Sequence, residues 1–105
     1  PAFIGVQANA RASAVKNGLA NGVKECVIRA ADNKTTLFAN AQSFPGNYNG
    51  YTVAAVSGNT TCYAAEATAS NTGESNFTIS MTPATGIVTK TCTVGTAPGC
   101  DGGTW

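Results

Sequence analysis

A chain of 105 residues with 10% charged side chains and a net charge of +1 has the length of one domain with a modest core. That charge density is far under the usual share of about a quarter, and the net charge of +1 argues against a nucleic-acid protein driven by counterion release, though not against a small local basic patch. The sequence contains no histidine, so Ser-His and Cys-His nucleophiles are excluded.

The chain opens on Pro1 instead of Met, which we read as a processed or cut N-terminus. Ile4, Ala8, Ala12, Val15, Leu19, Val23 and Cys26 then recur at steps of four and three, the apolar stripe of an amphipathic helix. Gln7, Arg11, Lys16, Asn17, Asn21 and Lys24 mostly occupy other faces. A helix from about Ala2 to Ala30 would be roughly 40 Å long, more than so small a domain can bury, so one end should project. Gly5, Gly18 and Gly22 each weaken it by roughly 1 kcal/mol against Ala, so something must pack against it.

Residues 31–50 read as a long connection. ADNKTT turns, TTLFA suggests a short strand, and SFPGNYNG is dense in turn formers. A loop of this length is usually functional or an interaction surface.

The rest reads as strands. YTVAAVS and TTCYAAEATA form a hairpin around Gly58 and Asn59, and NFTISMTP and GIVTKTCTV form another around Ala84–Gly86. Phe77, Ile79 and Met81 alternate with Thr78, Ser80 and Thr82, so one face is buried and the other wet. The expected fold is α+β: a long N-terminal helix laid on an antiparallel sheet of about four strands. In this division, residues 1–30 are the helix, 31–50 the loop, 51–94 the sheet and 92–105 a tail too rich in Gly and Pro for regular structure.

Cysteines stand at positions 26, 62, 92 and 100, with no C-x-x-C spacing. An even count in a short chain favours structural disulfides and an oxidising compartment, periplasmic or exterior. Three pairings are possible. In an up-down meander, Cys62 at the start of the second strand and Cys92 at the end of the fourth lie at opposite ends of the sheet, too far apart to bridge. Cys26 can reach Cys62, so Cys26–Cys62 with Cys92–Cys100 is the pairing we favour. A Cys62–Cys92 bond would mean that the strand order is wrong. The tail should owe its order to its own ring and to docking of Trp105, the helix–sheet core owing nothing to it.

The residues that chemistry would need do not assemble in the sequence. Ser13-Ala-Val-Lys16 fits S-x-x-K without the companion motifs of acyl-enzymes, and reads as helix surface. Glu66 and Glu74 lack the surroundings of a carboxylate pair. Asp101-Gly-Gly reads as a turn rather than a cation ligand. Tyr48, Tyr51 and Tyr63 suit packing more than sugar or base stacking. We expect no enzyme, no metal site and no cofactor.

The order of elements carries a resemblance. A Pro-Ala-Phe entry to a long amphipathic helix, a long loop, antiparallel strands and a Cys-closed C-terminal loop resembles the type IV pilins. PAFIGVQANARASAV is similar to the segment that continues their helix beyond its hydrophobic half. YTVAAVSGNTTCYAAEATA with NFTISMTPATGIVTKTC is similar to their sheet, especially in cyanobacterial members. The resemblance implies a structural subunit, extracellular in a cell-surface pilus and anchored in the inner membrane before assembly. Its partners would be other copies in a helical filament and the pilus assembly machinery, and the fibre would serve adhesion, motility or DNA uptake. By resemblance Pro1 is the helix-kinking proline, and Ile4, Ala8, Ala12, Val15 and Leu19 form the face packed under the sheet or towards the filament core. Cys92 and Cys100 would bound the C-terminal loop. The additional Cys26–Cys62 pair departs from the simplest pattern of that family. The missing part would be an apolar helix of about 20 residues, enough to span a bilayer. Minor pilins and the pseudopilins of type II secretion share the helix, and some pseudopilins replace the C-terminal disulfide with calcium. A competence pilin would bind DNA through clustered Lys or Arg, whereas Lys34 and Lys90 are isolated in sequence.

Overall fold

The computed structural model describes residues 2–44, 46–48 and 50–105, and only the backbone of residues 2–6 and Tyr48. The expectations for Pro1 and for the side chains of Ile4 and Tyr48 therefore lie outside the described residues.

One α-helix, α1 (Ala2–Ala31), precedes an antiparallel sheet in the order β1 (Asn47–Tyr48), β2 (Tyr51–Ala55), β3 (Ala64–Ala69), β4 (Phe77–Thr82) and β5 (Ile87–Cys92). The four longer strands form the expected meander, to which β1 adds a two-residue edge. The molecule measures 49 × 24 × 21 Å. A 30-residue helix rising 1.5 Å per residue accounts for the long dimension. No helix among the described residues is long and apolar enough to cross a membrane.

The stripe read from the sequence is the buried face of α1 from Ala8 onward. Ala8, Ala12, Val15, Leu19, Val23 and Cys26 are all buried. They meet the sheet face formed by Tyr51, Val53, Ala65, Ala67, Phe77 and Ile79, the strand positions that alternate inward. Ala65 and Ala67 on β3 pair with Ile79 and Phe77 on β4. The small residues leave a trough beside the large ones, and α1 lies across β3 and β4, so methyl-sized and branched side chains interdigitate at close range. β5 is left at the margin, with none of its residues fully buried.

Gly22, a weak point on propensity alone, makes room: a Cβ there would overlap the ring of Phe44. Phe44 in turn lies 4.7 Å from Phe38, centroid to centroid. The loop after α1 is thus seated on the helix instead of hanging free.

Two local expectations need correction. TTLFA makes no strand: Leu37 forms a single bridge to Thr61, and the chain turns at once into a 3₁₀ turn, Phe38–Asn40. The hairpin between β2 and β3 is also not closed tightly at Gly58-Asn59. β2 ends at Ala55 and β3 starts at Ala64, so Cys62 precedes its strand. The cause is competition for partners. Phe38 N–H donates to Thr60 O and Cys62 N–H to Thr36 O, both at 2.8 Å, and Cys62 is bonded to Cys26. The segment is drawn out of the sheet towards the helix end. Asn59 holds the resulting loop, its Nδ2 donating to Thr61 O and Ala64 O.

Leu19→Ala should cost about 2–5 kcal/mol in denaturant unfolding, because Leu19 is wholly enclosed. Gly22→Val should also destabilise and should displace Phe44, visible as lost ring-current shifts on the 38–44 loop. A neutral Gly22→Val would show that Phe44 is not seated on the helix.

Candidate functional site

Two carboxylates, Glu74 and Glu25, act as fasteners on one flank of α1. Arg11 Nε donates to Glu74 Oε1 and Nη2 to Oε2, each at 3.2 Å. The Glu74 side chain is only 6% exposed, so this two-pronged pair holds the turn between β3 and β4 to the helix. Tyr51 packs beneath it. Its hydroxyl is buried without a hydrogen bond of acceptable geometry. Burial first, and then the nearby Glu74 charge, push its pKa up to about 12. Near the end of α1, Glu25 accepts from the backbone N–H of Gln42 at 3.0 Å and of Ser43 at 2.6 Å. Hydrogen bonds from Ser43 and from the Gln42 backbone, with a smaller contribution from Arg29, hold its carboxyl below the usual range. Arg29 lies 3.7 Å away and donates to Thr35 O.

Both disulfides are formed: Cys26–Cys62 with Cα atoms 5.5 Å apart, and Cys92–Cys100 with Cα atoms 5.9 Å apart. The first ties the end of α1 to the loop before β3. The second closes the tail into a ring, and Ser75 seals its neck. Ser75 is fully buried. Its hydroxyl accepts from Thr93 N–H and Val94 N–H and donates to Asn76 O.

The tail then folds back over the sheet. Gly99 has φ +83°, and a Cβ there would stand 2.9 Å from Ala12 Cβ and 3.2 Å from the Phe77 ring. Only glycine suits both the conformation and the space. Lys16 donates to Gly99 O at 3.2 Å, so the ammonium of the S-x-x-K pattern serves the tail. Cys92 N–H donates to Gly103 O, Thr104 bridges Thr91, and Trp105 Nε1 donates to Thr78 O and Thr91 O. The indole meets Phe77 edge-on at 6.0 Å and lies under Lys90 Nζ at 5.1 Å.

The residues singled out in the sequence end up in several separate places. Ala8, Ala12, Val15 and Leu19 are buried in this chain itself, the last three in the same core as Cys26, Cys62 and Cys100. Glu74 is joined to Arg11, while Glu66 pairs with Thr78 on the opposite, solvent-facing side of the sheet from Phe77. Asp101 closes a backbone turn with Thr104. Tyr51 and Tyr63 pack on the core. Trp105 docks, but against β4 and β5. The tail meets α1 and those strands and, at Pro98, comes near the turn of residues 71–74, whereas Phe44 sits at Gly22, further along the helix. Sequence reasoning missed Ser75 and the Arg11–Glu74 pair. A serine in a turn carries no local sign of burial, and partners 63 residues apart leave no periodicity to read.

No known protein family, characterised protein or solved structure matches this chain.

Amide shifts of Gln42 and Ser43 should titrate together, with a midpoint below the ordinary carboxyl value of 4.5. A lowered native pKa stabilises the fold above the unfolded value and loses that contribution as pH falls through the native one. The 38–44 loop should therefore loosen in acid, and Glu25→Gln should abolish the titration. A midpoint at or above 4.5 would mean that this carboxylate does not hold the loop. Replacing Cys92 and Cys100 by Ser should strip hydrogen-exchange protection from residues 93–105 and thin it beside Phe77, leaving Ala65 and Ala67 protected. Loss across the whole sheet would make that disulfide a staple of the core.

Proposed function

We propose that this chain is the sheet-bearing part of a filament subunit of the type IV pilin kind, a structural protein and not an enzyme. The observation that supports this reading best is a 30-residue helix with one face buried from Ala8 to Cys26 beneath an antiparallel meander, followed by a tail closed by its own disulfide. A helix of that length exceeds what the sheet needs. It suits an element with a second task, continuing upstream as an apolar segment. That segment would hold the subunit in the inner membrane and then pack against its counterparts at the centre of a fibre. Head-to-tail repetition without closure yields a helical array, whose partners are other copies and the assembly machinery. The disulfides and the low charge suit an extracellular surface, where the fibre would serve adhesion, motility or DNA uptake.

The coding sequence upstream of Pro1 tests this directly. About 20 apolar residues containing one glutamate, behind a Gly and a short basic leader, are expected. An ordinary polar upstream region would remove the proposal. Immunogold labelling with antibody against residues 93–105 should then decorate thin surface fibres along their length. Label absent from such fibres, or confined to their tips, would move the chain to a pseudopilin or a minor pilin.

A further inference from the structure

The other flank of α1 has a different character. Because α1 lies over β3 and β4, an open trench of about 380 Å³ remains between α1 and β5, lined by Ala20, Val23, Lys24, Ile79, Val88 and Lys90. Its walls continue into exposed apolar side chains. Val88 is 45% exposed, as is Val27 one helical turn beyond Val23. Trp105 closes one end, its indole half-buried under Lys90. No carboxylate lines the trench, and neither Lys24 nor Lys90 has an ion pair among the described residues. The acidic residues lie elsewhere. Glu74 is held by Arg11 on the opposite flank, Glu25 is engaged by Arg29 and the Gln42 and Ser43 amides in a second hollow on the outer side of Lys24, Glu66 faces the far side of the sheet, Asp32 stands beyond the helix end, and Asp101 sits in a backbone turn of the tail.

We propose that this flank docks on an anionic lipid surface. The argument is charge complementarity joined to the kind of apolar surface. Aliphatic knobs between lysines, with an indole at the edge, match the layering of a bilayer interface. There, apolar groups enter the acyl boundary, lysine stems lie along them with their ammonium groups among the headgroups, and indoles sit at headgroup level. A nucleic acid would use the lysines but would gain nothing from Val27 and Val88. A neutral apolar partner would leave two ammonium groups unanswered. The β5 edge is a poor acceptor for an added strand, because Gly103 and Thr104 already occupy its Thr91–Cys92 end. The inference does not depend on filament assembly.

The chain contains a single tryptophan, at the border of the trench, which serves as the reporter. The intact 105-residue chain is titrated with phosphatidylglycerol vesicles and with phosphatidylcholine vesicles. Binding to the first only is expected, with a blue shift of Trp105 emission, quenching by brominated acyl chains and weakening by salt. Lys24→Gln and Lys90→Gln should each lower the partition coefficient about fivefold, the effect of one lysine near an anionic surface. Val27→Ser and Val88→Ser, both at exposed positions, should remove the quenching by brominated chains while leaving the fold intact by circular dichroism. Equal binding to both lipids, or no binding to phosphatidylglycerol, would overturn the proposal. So would binding insensitive to all four substitutions. Tighter binding to duplex DNA than to the vesicles, lost in the same lysine variants and untouched by the valine variants, would replace it with a nucleic-acid site.

Discussion

The parts of this fold meet at Phe77. Its ring is fully buried and lies 5.9 Å from Tyr51, 6.0 Å from Trp105 and 5.9 Å from Lys16 Nζ. The backbone of Gly99 closes over its edge. One side chain thus joins the second strand, the helix, the disulfide ring and the end of the tail. Tilted and edge-on ring contacts add specificity to the area buried. Scaffold and tail are therefore less separable than the sequence suggests. The tail does not rest on a finished core, because Gly99 and Trp105 supply part of the cover over Phe77, its largest fully enclosed side chain.

The helix stripe and the alternation of β4 were legible because each is a local period imposed by a burial that the whole element shares. Ala8, Ala12, Val15, Leu19, Val23 and Cys26 recur because one face of a helix recurs. Phe77 and Ile79 alternate with Thr78 and Ser80 because one face of the sheet is covered. The geometric reasoning behind the disulfides also needed only strand order. Features that depend on two distant segments were not legible. The propensity of Gly22 is that of any helix glycine until Phe44 is known to need the space. Cys62 reads as a strand residue until Thr36 competes for its N–H. Ser75 and Thr93 form one knot at the tail's neck, yet each looks like an ordinary residue of a loop.

So few charges could have been a surface diluted to neutrality. Instead they are sorted. Carboxylates with fixed partners hold loops on one side of α1, through Arg11–Glu74 and through Glu25 at the amides of Gln42 and Ser43. The lysines Lys24 and Lys90 border the side that the sheet leaves open. The solvent face of the sheet has almost none. Thr52, Thr68, Thr78, Ser80, Thr89 and Thr91 sit there in adjacent registers, giving strand propensity and hydroxyl groups without ionic ones.

The Cys26–Cys62 bond has a mechanical meaning. Tension applied to α1 along its axis from the N-terminal side would load its whole buried stripe in shear, so that Ala8, Ala12, Val15, Leu19 and Val23 resist together instead of peeling away one after another. Past them the load arrives at a covalent link near the far end of the helix. From there it passes into the loop that begins β3, and so into the middle strand of the sheet. Non-covalent packing would bear the small, repeated strains, and the disulfide would limit how far the helix could slide before the sheet itself had to unravel.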